Sequence, residues 1–152
     1  MPRDVPRDPS DDPSAALRAL VDEELRHALD DARTELEGLD AASAALVDEL
    51  RRLLDAGGSR LRPMACVWGF RAGGGSVGPA IVRAAAALEL LHEMALIHDD
   101  VMDDAKERRG VASTHRAFAE RAAEAAEPDP ERAGLALAVL AGDLAAVLAD
   151  RL

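Results

Sequence analysis

The sequence predicts an all-α fold, and three observations carry that prediction. Nearly half of the 152 residues are apolar, yet there is no Tyr, one Trp and two Phe. Core volume must therefore come from Leu, Val and much Ala, and Ala and Leu are the strongest helix formers. Apolar residues recur at three- and four-residue spacing along most of the chain. No segment alternates apolar and polar residues for long enough to make a strand.

The elements follow in order. Residues 1–13, MPRDVPRDPSDDP, hold four prolines and no apolar stretch, so a disordered tail is expected there rather than a signal peptide. From residue 14 a single helical domain is expected to run to residue 152. Ser14 is placed to cap a first helix to about Glu37, with Leu17, Val21, Leu25 and Leu29 at helical spacing and Gly38 as its stop. A second helix spans about Asp40 to Ala56. Gly57-Gly58 then breaks the pattern, and Pro63 opens a third helix to about Ala72. A glycine-rich link, 73–78, leads to Pro79 and the longest helix, to about Asp104. An exposed loop is expected over Ala105 to Ala112, a fifth helix over about Ser113 to Glu127, and a sixth from Glu131 to Leu152 after Pro128-Asp129-Pro130.

The formal net charge of −11 argues against nucleic-acid binding and against a polybasic membrane anchor. No apolar run approaches the roughly 18 residues that a membrane span needs. Lys106 is the only lysine, so the basic residues are nearly all Arg, whose planar fork can build an anion site on an acidic protein. A lone cysteine, Cys66, between Ala65, Val67 and Trp68, reads as a core thiol. It permits no disulfide within the chain and fits a reducing, cytoplasmic setting.

Chemistry gathers at the end of the fourth helix. Seven residues make nearly two turns, so His92 and Asp99 share a face, and Asp103, four further on, stays on it. Leu88, Ala95 and Leu96 line the same stripe. Two carboxylates one turn apart repel unless a divalent cation lies between them, and Mg²⁺ takes carboxylate oxygen while completing its shell with water and phosphate. The other reading is a solvated acidic helix end, although acids there oppose the helix dipole. Spacing leaves both open. Asp100 lies to the side, placed to hydrogen-bond metal-bound water; Asp104 and His98 receive no site role. Arg108-Arg109-Gly110, just beyond, can fold back towards a metal-bound anion, where guanidinium pairs with phosphate bidentately. The plain alternative is a surface arginine pair.

Residues 96–110, LIHDDVMDDAKERRG, resemble the first aspartate-rich motif of the trans-polyprenyl diphosphate synthases, DDxxD followed by RRG. Upstream, GGSRLRP at 57–63 is similar to the family's GGKRLRP. Glu89-Leu90-Leu91-His92 matches the segment before the motif, and Gly142-Asp143 a common GD. The resemblance implies an antiparallel helical bundle of the isoprenoid-synthase type, here partial, with about six helices. It implies head-to-tail prenyl transfer from an allylic diphosphate to isopentenyl diphosphate with Mg²⁺. Asp99 and Asp103 would be the catalytic metal ligands, Arg108 would touch the allylic diphosphate, and Arg62, His92 and Arg109 would hold isopentenyl diphosphate. Met94 and Ala95 stand where aromatics shorten the product in the family, which implies a product longer than farnesyl, such as geranylgeranyl.

Two departures matter. Ser59 stands where the family has a lysine that pairs with isopentenyl diphosphate, and Arg60 beside it is expected to compensate. The family's second aspartate-rich motif is not among these residues, which implies a fragment or a half of a two-chain enzyme, working as a homo-oligomer or with a complementing prenyl synthase chain. The competing reading is a non-catalytic helical module that partners such a synthase.

Overall fold

Glycine and proline mark most of the helix boundaries where the sequence places them, but the third helix starts at Leu61, two residues before the expected Pro63. The computed structural model describes residues 13–152. The tail expected over 1–13 therefore lies outside the described residues, except that Pro13 already belongs to the first helix. In chain order the elements are α1 (Pro13–Glu37), α2 (Ala41–Asp55), α3 (Leu61–Ala72), α4 (Pro79–Met102), β1 (Glu107–Arg108), β2 (Val111–Ala112), α5 (Thr114–Glu124) and α6 (Pro130–Arg151). The all-α expectation holds.

Local chemistry explains the ends. Asp40 caps α2 by accepting from the Ser43 amide at 2.8 Å, which satisfies one orphan donor of the first turn. Asp129 caps α6 in the same way through the Arg132 amide at 3.2 Å. Helix α4 stops two residues earlier than expected: Asp104 turns left-handed (φ 52), and the Ala105 amide reaches back to the Asp100 carbonyl at 3.0 Å. That six-to-one bond is how a Schellman motif ends a helix. Ala126 (φ 58) ends α5 likewise, with the Glu127 amide on the Ala122 carbonyl at 2.9 Å.

The loop expected over 105–112 is instead a hairpin. Two-residue strands pair antiparallel, Glu107 with Ala112 and Arg108 with Val111. Arg109 (φ 55) and Gly110 (φ 78) form the turn. Positive φ at both central residues is the type I′ pattern, whose twist suits paired strands. The ribbon is too short for alternation to reveal it.

The core runs through Val21, Leu25 and Leu29 of α1, Val47 and Leu50 of α2, Met64 and Val67 of α3, and Leu90 and Ile97 of α4, all nearly or wholly buried. Small residues close the other side. Ala138, Ala141, Gly142 and Ala145 of α6 are buried, and α6 packs against both α4 and α5. Cys66 is half-buried against the core, with Val67 inside but Ala65 and Trp68 turned outward, so the core reading of that stretch holds only in part. Helix α6 is long and apolar enough to cross a membrane by length and composition alone, with mean hydropathy 1.8 over its most apolar stretch, a test that a core helix also passes. Here its small-residue face is buried inside the bundle.

Candidate diphosphate and metal site

Helix α4 carries acids on two faces with different fates. Glu89, Glu93 and Asp100 lie four and seven residues apart on its inner face, and each is at most 2% exposed. His92, Asp99 and Asp103 lie on the outer face, as the helical spacing predicts. Asp103 is one residue past the helix end, yet its amide still donates to the Asp99 carbonyl at 2.9 Å. The stacking of the two carboxylates therefore persists, and both are exposed.

A buried carboxylate needs a partner, and each of the three inner acids finds a guanidinium arriving from elsewhere in the chain. Asp100 takes Arg108 of β1, whose Nε lies 3.0 and 3.2 Å from its two oxygens and whose Nη2 touches Oδ1. Arg108 Nη2 also lies 3.5 Å from Asp99. Glu93 takes Arg109 of the hairpin turn at 2.6 Å, and Arg109 Nη1 donates to the Leu53 carbonyl at 3.1 Å. Glu89 takes Arg60 at 2.9 Å, while Arg60 also donates to Asp22 at 2.8 Å and to the Leu54 carbonyl at 3.0 Å.

Two expectations change as a result. Arg60 is 9% exposed and committed to these partners, so it does not stand in for a lysine at Ser59, which is exposed. Asp100 is locked to Arg108 rather than free to hold a metal-bound water. Asp104, given no role, holds Arg116 of α5 at 2.6 Å. His98 is structural as expected. Its Nε2 donates to the Val139 carbonyl at 3.3 Å and lies over Gly142, where a Cβ would sit 2.3 Å from it.

Arg62 and His92 face each other on the outer side, Nη1 to Nε2 at 2.9 Å. A guanidinium only donates, so Nε2 accepts and the ring carries its proton on Nδ1. Burial, and then the nearby Arg62 charge, hold the imidazole below its ordinary range, which keeps it neutral. Ser59, Arg60, Arg62, His92, Arg108 and Arg109 all line one cavity of roughly 350 Å³. The structure thus brings every sequence-predicted anion-binding residue to one place, with Asp99 and Asp103 beside it.

The hairpin that delivers Arg108 and Arg109 is tied down from behind. Arg52 of α2 donates to the Ala112 carbonyl at 2.7 Å and binds the fully buried Glu49 at 2.5 Å. Arg121 of α5 reaches the same carboxylate.

Among the described residues no group of three or more His, Cys, Asp or Glu side chains could enclose a metal ion. Asp99 and Asp103 nonetheless supply hard oxygens with little competing contact, and Mg²⁺ is often held by one or two carboxylates with water and phosphate completing its shell. The pair fits a magnesium shared with a bound diphosphate, and would not make a closed site alone. Beyond it, Leu88, Leu91 and Ala95 lie exposed on the helix surface.

Residues 43–152 match the polyprenyl synthetase family. The nonaprenyl diphosphate synthase of Mycobacterium tuberculosis is 32% identical over 138 residues, 91% of this chain and 32% of that protein. The geranylgeranyl pyrophosphate synthase of Geoglobus acetivorans is 36% identical over 124 residues, 82% of this chain and 31% of that protein. A crystal structure of geranylgeranyl pyrophosphate synthase from Corynebacterium glutamicum, complexed with isoprenyl diphosphate and magnesium, matches with a TM-score of 0.82 at 32% identity, over 89% of this chain and 40% of that one. The chain spans about a third of the length of these two curated relatives.

Proposed function

Because this chain belongs to the polyprenyl synthetase family, we propose that it forms the first substrate-binding wall of a magnesium-dependent prenyltransferase that joins an allylic diphosphate to isopentenyl diphosphate. The observation that carries this reading is the convergence of Arg62, His92, Arg108 and Arg109 around one cavity, beside the Asp99 and Asp103 pair.

The residues divide the work by position. Arg108, within reach of Asp99, would meet the allylic diphosphate. Arg62, His92 and Arg109 would hold isopentenyl diphosphate, with His92 as a neutral hydrogen-bonding group and the arginines as the charge. Magnesium, when bound by Asp99 and Asp103, would neutralise charge developing on the leaving diphosphate. The allylic carbon–oxygen bond would break with its electron pair going to diphosphate. The π pair of isopentenyl diphosphate would form the new carbon–carbon bond, and a proton would be lost. Such a reaction needs no protein nucleophile. It needs two substrates aligned and water kept from the cation, and the exposed Leu88, Leu91 and Ala95 surface would take the hydrocarbon chain. The corresponding relatives are longer, so the full reaction calls for more of the helical bundle than these residues supply.

The test combines the chain with magnesium, an allylic diphosphate and labelled isopentenyl diphosphate, with and without a candidate second chain. A lengthened prenyl product is expected when the bundle is complete. If none forms in either mixture, the enzyme reading of this polypeptide fails.

A further inference from the structure

Glu93 has no part in the reading above, yet its place is unusual. It lies on the inner face of α4, its side chain 2% exposed, with Arg109 as its ion-pair partner at 2.6 Å. Arg109 is the first residue of the hairpin turn and has φ 55, a conformation that L residues other than glycine adopt at a cost. Such a residue stays put only when its surroundings hold it. Two contacts do so here: Glu93 on Nη2 and the Leu53 carbonyl on Nη1. A guanidinium has five N–H groups, so three remain for other partners, and Arg109 lines the cavity it shares with Arg62 and His92.

We propose that Glu93 is a positioning residue: it clamps the Arg109 guanidinium from behind so that its remaining N–H groups face a diphosphate in the cavity. The proposal rests on the reading of that cavity as a diphosphate site. Charge-assisted bonds are short and directional, and a carboxylate buried on a helix has few rotamers to lose. Arg109 therefore keeps one orientation, and anion binding does not have to order it. The helix acts as a rigid backing for a residue carried on a two-residue turn.

The test is a double-mutant cycle read by calorimetric titration with inorganic diphosphate on the full chain. Glu93→Gln keeps the size of the side chain and removes its charge. It is expected to weaken diphosphate binding about tenfold, the scale of one charge-assisted hydrogen bond. In an Arg109→Ala background the same change is expected to alter binding less than twofold. Amide exchange at Arg109 and Gly110 should also speed up in Glu93→Gln, with the helix signal by circular dichroism unchanged. Should Glu93→Gln unfold the chain, Glu93→Asp serves in the same cycle, with a smaller loss expected. An equal loss in both backgrounds, or unchanged binding in the Glu93 variants, overturns the proposal while leaving the diphosphate reading intact. Absence of binding by the wild-type chain overturns the diphosphate reading and the proposal with it.

Discussion

Replacing Arg108 by Ala should cost stability as well as anion binding, and the two losses can be separated. The Arg108 guanidinium makes three contacts with the Asp100 carboxylate, and Asp100 is 2% exposed. Truncation leaves that carboxylate buried without its cation. Removing one partner of a buried pair costs about 3–5 kcal/mol. Arg108 is itself 30% exposed, so water can follow the truncated side chain inward, and a loss near the lower end, about 3 kcal/mol, is expected. With a urea slope of about 1–3 kcal/mol/M, the unfolding midpoint should fall by roughly 1–3 M. The reverse change, Asp100→Ala, leaves a cation able to turn to water and should cost only about 1–2 kcal/mol. The double variant should cost less than the sum of the two, with a coupling of about 2 kcal/mol. Asp99→Ala removes an exposed contact at 3.5 Å and should change stability by less than about 0.5 kcal/mol. If Arg108→Ala melts within about 0.5 kcal/mol of wild type, or the double variant is additive, the buried-pair account is wrong. The double variant then isolates function: it should regain part of the stability yet still bind inorganic diphosphate poorly.

Three further outcomes are expected. A Cβ at Gly134 would lie 2.4 Å from the His115 carbonyl, a backbone atom, whereas one at Gly69 meets nothing. Gly134→Ala should therefore destabilise by about 1–3 kcal/mol in urea melts, while Gly69→Ala in α3 should stabilise by up to about 1 kcal/mol. His92 is held below its ordinary value of 6.5 by burial and by Arg62. The unfolded chain then binds a proton that the folded chain refuses, so this group's stability is fully present above pH 6.5 and falls as pH drops from there through the lowered folded value. His92→Gln should flatten that part of the stability–pH curve, which melts at several pH values will read. Ser59 is exposed on the wall of the arginine-lined cavity. Ser59→Lys should tighten inorganic diphosphate about tenfold by adding one charged donor, and unchanged binding by titration would count against that wall as an anion site.

Much of the fold was legible because its signals are local. Gly57-Gly58, the 73–78 link, Pro79 and Pro128-Asp129-Pro130 act on their own backbone, and each marks an element boundary within a few residues. Where boundaries moved, as at Asp104 and Ala126, a non-glycine residue took the left-handed cap position that glycine usually fills. The Arg109-Gly110 turn was equally hard to see, since two-residue strands offer no period to read.

The site divides along the same line. Helical periodicity alone sets His92, Asp99 and Asp103 on one face, because the stacking of residues four and seven apart is a property of the backbone and needs no neighbour. The pairing of Glu89, Glu93 and Asp100 with Arg60, Arg109 and Arg108 was not legible, and Glu93 drew no notice at all. An acid on a helix looks the same in sequence whether water or protein surrounds it, and its partners come from loops whose paths depend on packing. The sequence by itself determined that His92, Asp99 and Asp103 share one helical face and that Arg108 and Arg109 follow just beyond it. Only the tertiary structure decided that Arg108 and Arg109 pair with buried carboxylates while still lining the cavity, because desolvation is a property of the assembled bundle.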